Sequence, residues 1–300
     1  MNGNKVSIII PTYKRCEMLI RAIDSVLNQT YKNIEVIIVD DNNPISEFRK
    51  NTEKIMEVYE NDNRVLYLKH DRNKNGAAAR NTGVAHSSGD IISFLDDDDW
   101  FLKNKIELQL EYLLKNKNFK GVYCGTKIKG KIIIPRLEGD LTKQLLLMET
   151  SLYTPTLMFY KSVYIELNGF NESFRRHQDY EFLLRFFNKY KIGVVKECLV
   201  FLGDNNGENE LKGAELESMK KMFLKTFEFE INAYGNLFKK RVLGKHNALI
   251  FLNHLKNKLF LKSLNVMIEN LFTNPFYFTL NILEGIYQNI KYRLYIKNHV

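Results

Sequence analysis

The chain has three cysteines, five prolines and one tryptophan in 300 residues. Cys16, Cys124 and Cys198 are widely spaced and form no CxxC pair. This argues against a disulfide framework or a structural zinc site and fits a reducing compartment. No apolar run approaches the roughly 18 residues that a membrane span needs. The chain enters an apolar strand after Met-Asn-Gly-Asn-Lys with no signal-peptide architecture. A cytoplasmic protein, soluble or peripheral on the inner face of the membrane, is therefore expected. No GxGxxG follows the first strand and no GxxxxGK[ST] occurs, so both common nucleotide fingerprints are missing. Internal repeats and RNP, zinc-finger or helix-turn-helix signatures are also missing, which leaves nucleic acid a poor candidate partner.

What remains is an ordinary globular composition, 45% hydrophobic and 26% charged, with a formal net charge of +9. The charge is unevenly placed. Residues 219–300 hold 13 Lys and Arg against Glu228, Glu230, Glu269 and Glu284, a net of +9, so residues 1–218 are neutral.

The first 120 residues alternate strand and helix signals. Val6–Ile10 and Val36–Val39 are β-branched runs of the kind buried on both faces of a parallel sheet. Met18–Leu27 repeats apolar residues at helical spacing. Further strands are expected at 65–68, 91–95, 120–126, 131–134 and 155–160, and helices at 46–60, 76–86, 100–117 and 179–189. The order predicts an α/β domain with a mostly parallel sheet between helices. An Asn-, Gly- and Glu-rich stretch at 204–213 marks the expected boundary, giving domains 1–204 and 205–300, the second helical and interrupted at Asn274-Pro275.

Three segments fall where ligands bind in open parallel sheets, at the carboxyl ends of strands. They are Pro11-Thr12-Tyr13, Asp40-Asp41-Asn42 and Asp96-Asp97-Asp98-Asp99. Adjacent acids repel unless a cation sits among them, and oxygen-only ligands suit Mg²⁺ or Mn²⁺. By themselves the four acids read equally well as a turn capping a helix that begins at Trp100. Asn75-Gly76-Ala77-Ala78-Ala79-Arg80-Asn81 opens a helix with small residues and one cation, which suits a diphosphate. It is also what a tightly packed Ala-rich helix looks like.

Taken in order, "VSIIIPTYKR", "EVIIVDDNN", "NGAAARNTG" and "GDIISFLDDDDW" resemble glycosyltransferase family 2, the inverting GT-A enzymes, over roughly residues 5–202. The resemblance implies a Rossmann-like GT-A domain, a nucleotide-sugar donor, usually UDP-linked, and a divalent metal. It implies that Thr12 and Asp41, in segments 11–13 and 40–42, line the nucleobase pocket and that Arg80 lies near the nucleotide. Asp97 would lie by ribose and sugar, and Asp98 would be the metal ligand of the DxD element Asp96-Asp97-Asp98. "FNESFRRHQDYEFLLRF" matches the place of the general base, which makes Asp179 the expected base and Glu181 the runner-up. Many relatives have Glu-Asp where this chain has Gln178-Asp179, and His177 is a candidate substitute for hydrogen bonding to the acceptor. With only Trp100, the QxxRW element of processive synthases cannot exist here, which points to the addition of one sugar.

The expected activity is transfer from a UDP-hexose or UDP-N-acetylhexosamine to a lipid-diphosphate-linked glycan in O-antigen, capsule or related biosynthesis. Two alternatives stand beside it: an inactive nucleotide-sugar-binding scaffold and a metal-dependent nucleotidyltransferase. The basic tail, with aromatics such as Phe276, Phe278, Tyr287, Tyr292 and Tyr295, reads as a surface for anionic lipid, as a packing face for the catalytic domain, or as an oligomer contact.

Overall fold

The structure is a computed structural model that describes residues 3–174, 176–203 and 211–297. Most of the 204–213 stretch read as a boundary thus lies outside the described residues. The chain divides into two compact units, Met1–Leu145 with Thr150–Asn206, and Leu146–Glu149 with Gly207–Val300.

The first unit runs β1 (Val6–Thr12), α1 (Leu19–Leu27), β2 (Ile34–Asp40), α2 (Glu47–Met56), β3 (Val65–Lys69), α3 (Gly76–His86) and β4 (Ile91–Phe94). It continues with β5 (Trp100–Phe101), α4 (Lys105–Lys115), β6 (Gly121–Ile128), β7 (Lys131–Ile133), α5 (Thr142–Leu146), β8 (Met158–Tyr160), α6 (Lys161–Glu166), α7 (Gln178–Phe187) and β9 (Ile192–Phe201). The sheet order is β3-β2-β1-β4-β8-β6-β9-β5, with β7 on β6. Strands β3, β2, β1 and β4 are mutually parallel, as is the β6–β9 pair. Strand β8 joins these two parts antiparallel to both neighbours, which makes the sheet mixed. Ile8, Ile9, Ile10, Val36, Ile37 and Ile38 are fully buried because helices cover both faces. Each such side chain contributes about 1.5–3 kcal/mol of hydrophobic stabilisation.

Pro11 does not stop β1, which runs on to Thr12 beside β2. Pairing with β4 ends at Ile9 and Phe94, and the carbonyl of Thr12 accepts from Asp41 N–H on the β2 side. The donor that proline lacks would therefore point where β1 has already lost its neighbour. Helix α3 lies very close to β1: a Cβ on Gly83 would sit 2.4 Å from Ile9 Cγ2. Its alanines 77–79 are buried for the same reason.

The helix expected from Trp100 begins at Lys105 instead. Trp100 and Phe101 form a short strand antiparallel to Val200 and Phe201 at the end of β9. The four acids are therefore held in a turn between two strands and do not cap a helix.

The second unit contains α8 (Ala214–Thr226), α9 (Glu228–Ala233), α10 (Asn236–Lys256), α11 (Phe260–Thr273) and α12 (Pro275–Lys297). Phe223, Phe227, Ile231, Val242, Ile250 and Phe278 form its buried interior. Residues 146–149 belong here: Nε2 of His246 lies 2.9 Å from the carbonyl of Leu146. Among the described residues no helix is long and apolar enough to cross a membrane.

Candidate active site

The rim of β1, β2 and β4 gathers three linked groups of side chains. In the first, Thr12 Oγ1 donates to Asp97 Oδ2 at 2.9 Å. Arg15 lies with Nη1 at 2.6 Å from Asp98 Oδ2 and Nη2 at 3.3 Å from Asp97 Oδ1. Behind them Arg21 donates to the carbonyl of Asp98 at 2.8 Å and stacks on Trp100, 3.8 Å from the ring centre. Burial pushes the Asp97 carboxyl up to about 7, against the pull of Arg15 and Thr12 and with repulsion from Asp98 and Asp96 added. Burial also raises Asp99, helped by Asp96 and Asp98, although its Oδ1 accepts from Gly203 N–H at 2.7 Å. Gly203 is needed there, since a Cβ would lie 2.4 Å from the carbonyl oxygen of Asp98.

The second group joins chain-distant helices. Arg80 on α3 pairs with Asp96 and also donates to Gln178 Oε1 at 3.1 Å. Gln178 opens α7, and Asp179 follows it. Asp179 Oδ1 accepts from Tyr180 N–H at 2.9 Å, and Thr154 Oγ1 lies 3.4 Å from its Oδ2. Burial pushes this carboxyl up to about 6. Tyr180 N–H and the Arg80 cation oppose the shift, and Asp96 reinforces it. Asp179 is thus electrostatically joined to Arg80 and Asp96 across the fold. Glu181, the runner-up, is buried and engaged in a bidentate pair with Arg185, at 2.7 and 2.6 Å. Arg185 in turn donates to the carbonyls of Leu167 and Gly169, so Glu181 belongs to the scaffold.

The third group surrounds Asp41. Its Oδ1 meets His70 Nδ1 at 2.7 Å and Lys74 N–H at 2.8 Å, while Oδ2 accepts from Asn73 Nδ2 and Asn75 N–H. Asp41 therefore ties down the loop that leads into α3. Asn75 Oδ1 then accepts from the N–H groups of Ala77 and Ala78, so this side chain caps the helix that carries Arg80. Pro11 lies within β1, and Tyr13 just beyond it is partly exposed with Lys14 over its ring. His177 precedes α7 in a left-handed conformation.

Asp41, Asp96, Asp97, Asp98 and Asp179 thus fall in these three groups while Glu181 does not, and four partners went unnamed: Arg15, Arg21, His70 and Gln178 as the partner of Arg80. A cation three residues beyond the first strand, facing an acid run, was the available signal for Arg15. Among the described residues no three His, Cys, Asp or Glu side chains converge as a metal cage. Asp96 and Asp98 offer the oxygen-only donors a hard cation takes, but here they are paired with Arg80 and Arg15, which a cation held by one or two carboxylates and the ligand's phosphates would have to displace.

The chain matches the model of "Glycosyl transferase family 2" over residues 7–166. An "Uncharacterized glycosyltransferase" of Rickettsia felis is 33% identical over 214 residues, covering 70% of this chain and 34% of that protein. The chain therefore spans about a third of that relative's length. "UDP-Glc:alpha-D-GlcNAc-diphosphoundecaprenol beta-1,3-glucosyltransferase WfgD" of Escherichia coli is 27% identical, covering 79% of this chain and 91% of that one. S. aureus TarS 1-349, crystallised in complex with UDP-GlcNAc, superposes with a TM-score of 0.66 at 17% identity over 93% of this chain and 84% of that chain. That likeness shows the GT-A fold. With the family model matched over more than half of its length, the chain belongs to glycosyltransferase family 2.

Proposed function

We propose that this chain transfers a single sugar, with inversion, from a UDP-hexose or UDP-N-acetylhexosamine to a hydroxyl of a glycan acceptor. The acceptor is a lipid-diphosphate-linked glycan in O-antigen, capsule or related surface-glycan synthesis, met at the inner face of the cytoplasmic membrane through the basic tail. The observation that carries this reading is the link from Asp96 through Arg80 and Gln178 to Asp179. It joins the acid run to a carboxylate with a raised proton affinity. The printed name of WfgD, with its UDP-Glc donor and diphosphoundecaprenol acceptor, supports the substrate classes.

In this reading Asp179 takes the proton of the acceptor hydroxyl as it attacks the anomeric carbon, and its pKa of about 6 suits a base working near neutrality. Thr12 and Asp41 flank the nucleobase, and Asp97 the ribose and sugar. Arg15 and Arg80 bind diphosphate oxygens once they release their carboxylates. Asp98 would hold Mn²⁺ or Mg²⁺, whose chemistry when bound is to neutralise charge on the departing diphosphate.

The test is thermal-shift screening of the full chain with UDP, UDP-Glc and UDP-GlcNAc with and without Mn²⁺, followed by product analysis. A Mn²⁺-dependent shift and release of nucleoside diphosphate are expected. Release of pyrophosphate would instead identify a nucleotidyltransferase, and binding without turnover over a broad acceptor panel a scaffold.

A further inference from the structure

The second unit contains a helix whose polarity is inverted. On α11 the buried side chains are Ser263 and Asn270, at 2% and 1% exposure, and Asn274 just beyond is buried too. The opposite side presents Leu261, Leu264, Ile268, Leu271 and Phe272 to the outside. At 3.6 residues per turn these five fall within about 100° of arc. Helix α12 also carries an outward apolar stripe. Phe276, Leu280, Leu283, Ile286 and Tyr287 are all outward and share one face, while Phe278 is buried. At the corner between the helices Phe272 and Phe276 are 85% and 69% exposed. Single exposed leucines are ordinary, but two successive apolar stripes, the first backed by buried Ser263 and Asn270, are not.

We propose that α11 and α12 lay these stripes into the interfacial layer of an anionic bilayer. Neither helix is long and apolar enough to span one, and a helix apolar on one side and cationic at its margins lies in the plane of the interface. Lys258 and Lys262, exposed beside the start of the α11 stripe, are placed to meet headgroups. Charge decides against a second copy as the occupant. Residues 258–297 carry Lys258, Lys262, Lys291, Arg293 and Lys297 against Glu269 and Glu284, so two such surfaces repel each other, whereas phosphatidylglycerol complements them. Glu269 and Glu284 are the only acids on these two helices, and Glu284 is paired with Lys245. The proposal rests on the membrane-contact reading of the tail and adds the surface and the mode of contact, apolar insertion.

Flotation of the full chain with phosphatidylglycerol–phosphatidylcholine vesicles tests it. The quadruple variant Leu264→Gln, Ile268→Gln, Leu280→Gln, Leu283→Gln is expected to lose at least tenfold in partitioning at unchanged charge. The single variants Phe272→Trp and Phe276→Trp keep the surface apolar and report insertion as a blue shift of emission when vesicles are added. If the quadruple variant floats like wild type while Lys258→Gln with Lys262→Gln abolishes flotation, the contact is purely electrostatic. That result overturns insertion and leaves the tail reading intact. If wild type ignores vesicles and sediments as a dimer that the quadruple variant converts to monomer, the stripes belong to a second copy and both readings fall. An absence of any shift in both tryptophan variants also overturns insertion.

Discussion

Replacing Asp179 by asparagine removes a charge and keeps the shape, and the two consequences are expected to have opposite signs. The carboxyl is raised from an ordinary 3.8 to about 6, chiefly by burial. At 1.36 kcal/mol per pKa unit, a shift of about two units makes the ionised form cost about 3 kcal/mol in the folded state. Solvent at the edge of this half-buried residue screens part of that, leaving about 1–3 kcal/mol. Below about pH 4 both folded and unfolded chains hold the proton, and the charge costs nothing. Between about pH 4 and 6 the unfolded chain releases a proton that the folded chain keeps, so wild type loses stability as pH rises. Above that window the loss is complete. The amide carbonyl introduced by Asp179→Asn would still accept the Tyr180 N–H bond, so this variant should be more stable than wild type by about 1–3 kcal/mol at pH 7.5. The advantage should shrink towards pH 4. Guanidinium denaturation at both pH values measures it. Transfer should fall by at least about a hundredfold, the usual worth of a general base, while wild-type kcat/KM climbs through pH 6 and then levels. A variant no more stable than wild type at pH 7.5, with a flat wild-type profile from pH 5 to 7, would refute the desolvated base.

Arg80→Gln breaks the links to both Asp96 and Gln178; UDP affinity measured by calorimetry should weaken about tenfold or more, equivalent to about 1.4 kcal/mol. Unchanged affinity would take Arg80 away from the nucleotide. Glu181→Gln leaves Arg185 without its carboxylate partner and should cost about 2–4 kcal/mol of stability in denaturant titrations, with kcat little altered in the protein that remains folded. Lys105 is fully buried, lies 4.0 Å from the Phe101 ring centre and donates to Ser93 Oγ at 2.7 Å, and burial lowers its pKa to about 7. Lys105→Met should stabilise by about 1–3 kcal/mol near pH 7, because an unbranched apolar chain fills the site with no charge to desolvate. Ser93 keeps its bond to the carbonyl of Leu157. A lowered thermal midpoint would show that the amine is needed.

What the sequence disclosed and what it concealed divide along physical lines. Val6–Ile10 and Val36–Val39 are buried on both faces, so composition alone marks them as strands. Strand β9 hid because Lys196 and Glu197 interrupt it, and pairing with β6 is irregular around Cys124 and Gly125. Trp100-Phe101 read as a helix start because its partner, Val200-Phe201, lies some hundred residues on, and a two-residue strand has no periodicity. The same distance hid the joining of Gln178 to Arg80: nothing local in "HQDYEF" says which helix it will meet, since sheet order sets that meeting. The acids at 40–41 and 96–99 were legible because strand ends are local features. Helix α11 marks a different boundary. Its apolar period is plain in the sequence, but a period specifies a face without its direction, and water normally supplies the direction by driving that face inward. Here Ser263 and Asn270 take the inward side. Only the structure shows the inversion, which is why the proposed bilayer contact of this face had no counterpart in the periodicity alone.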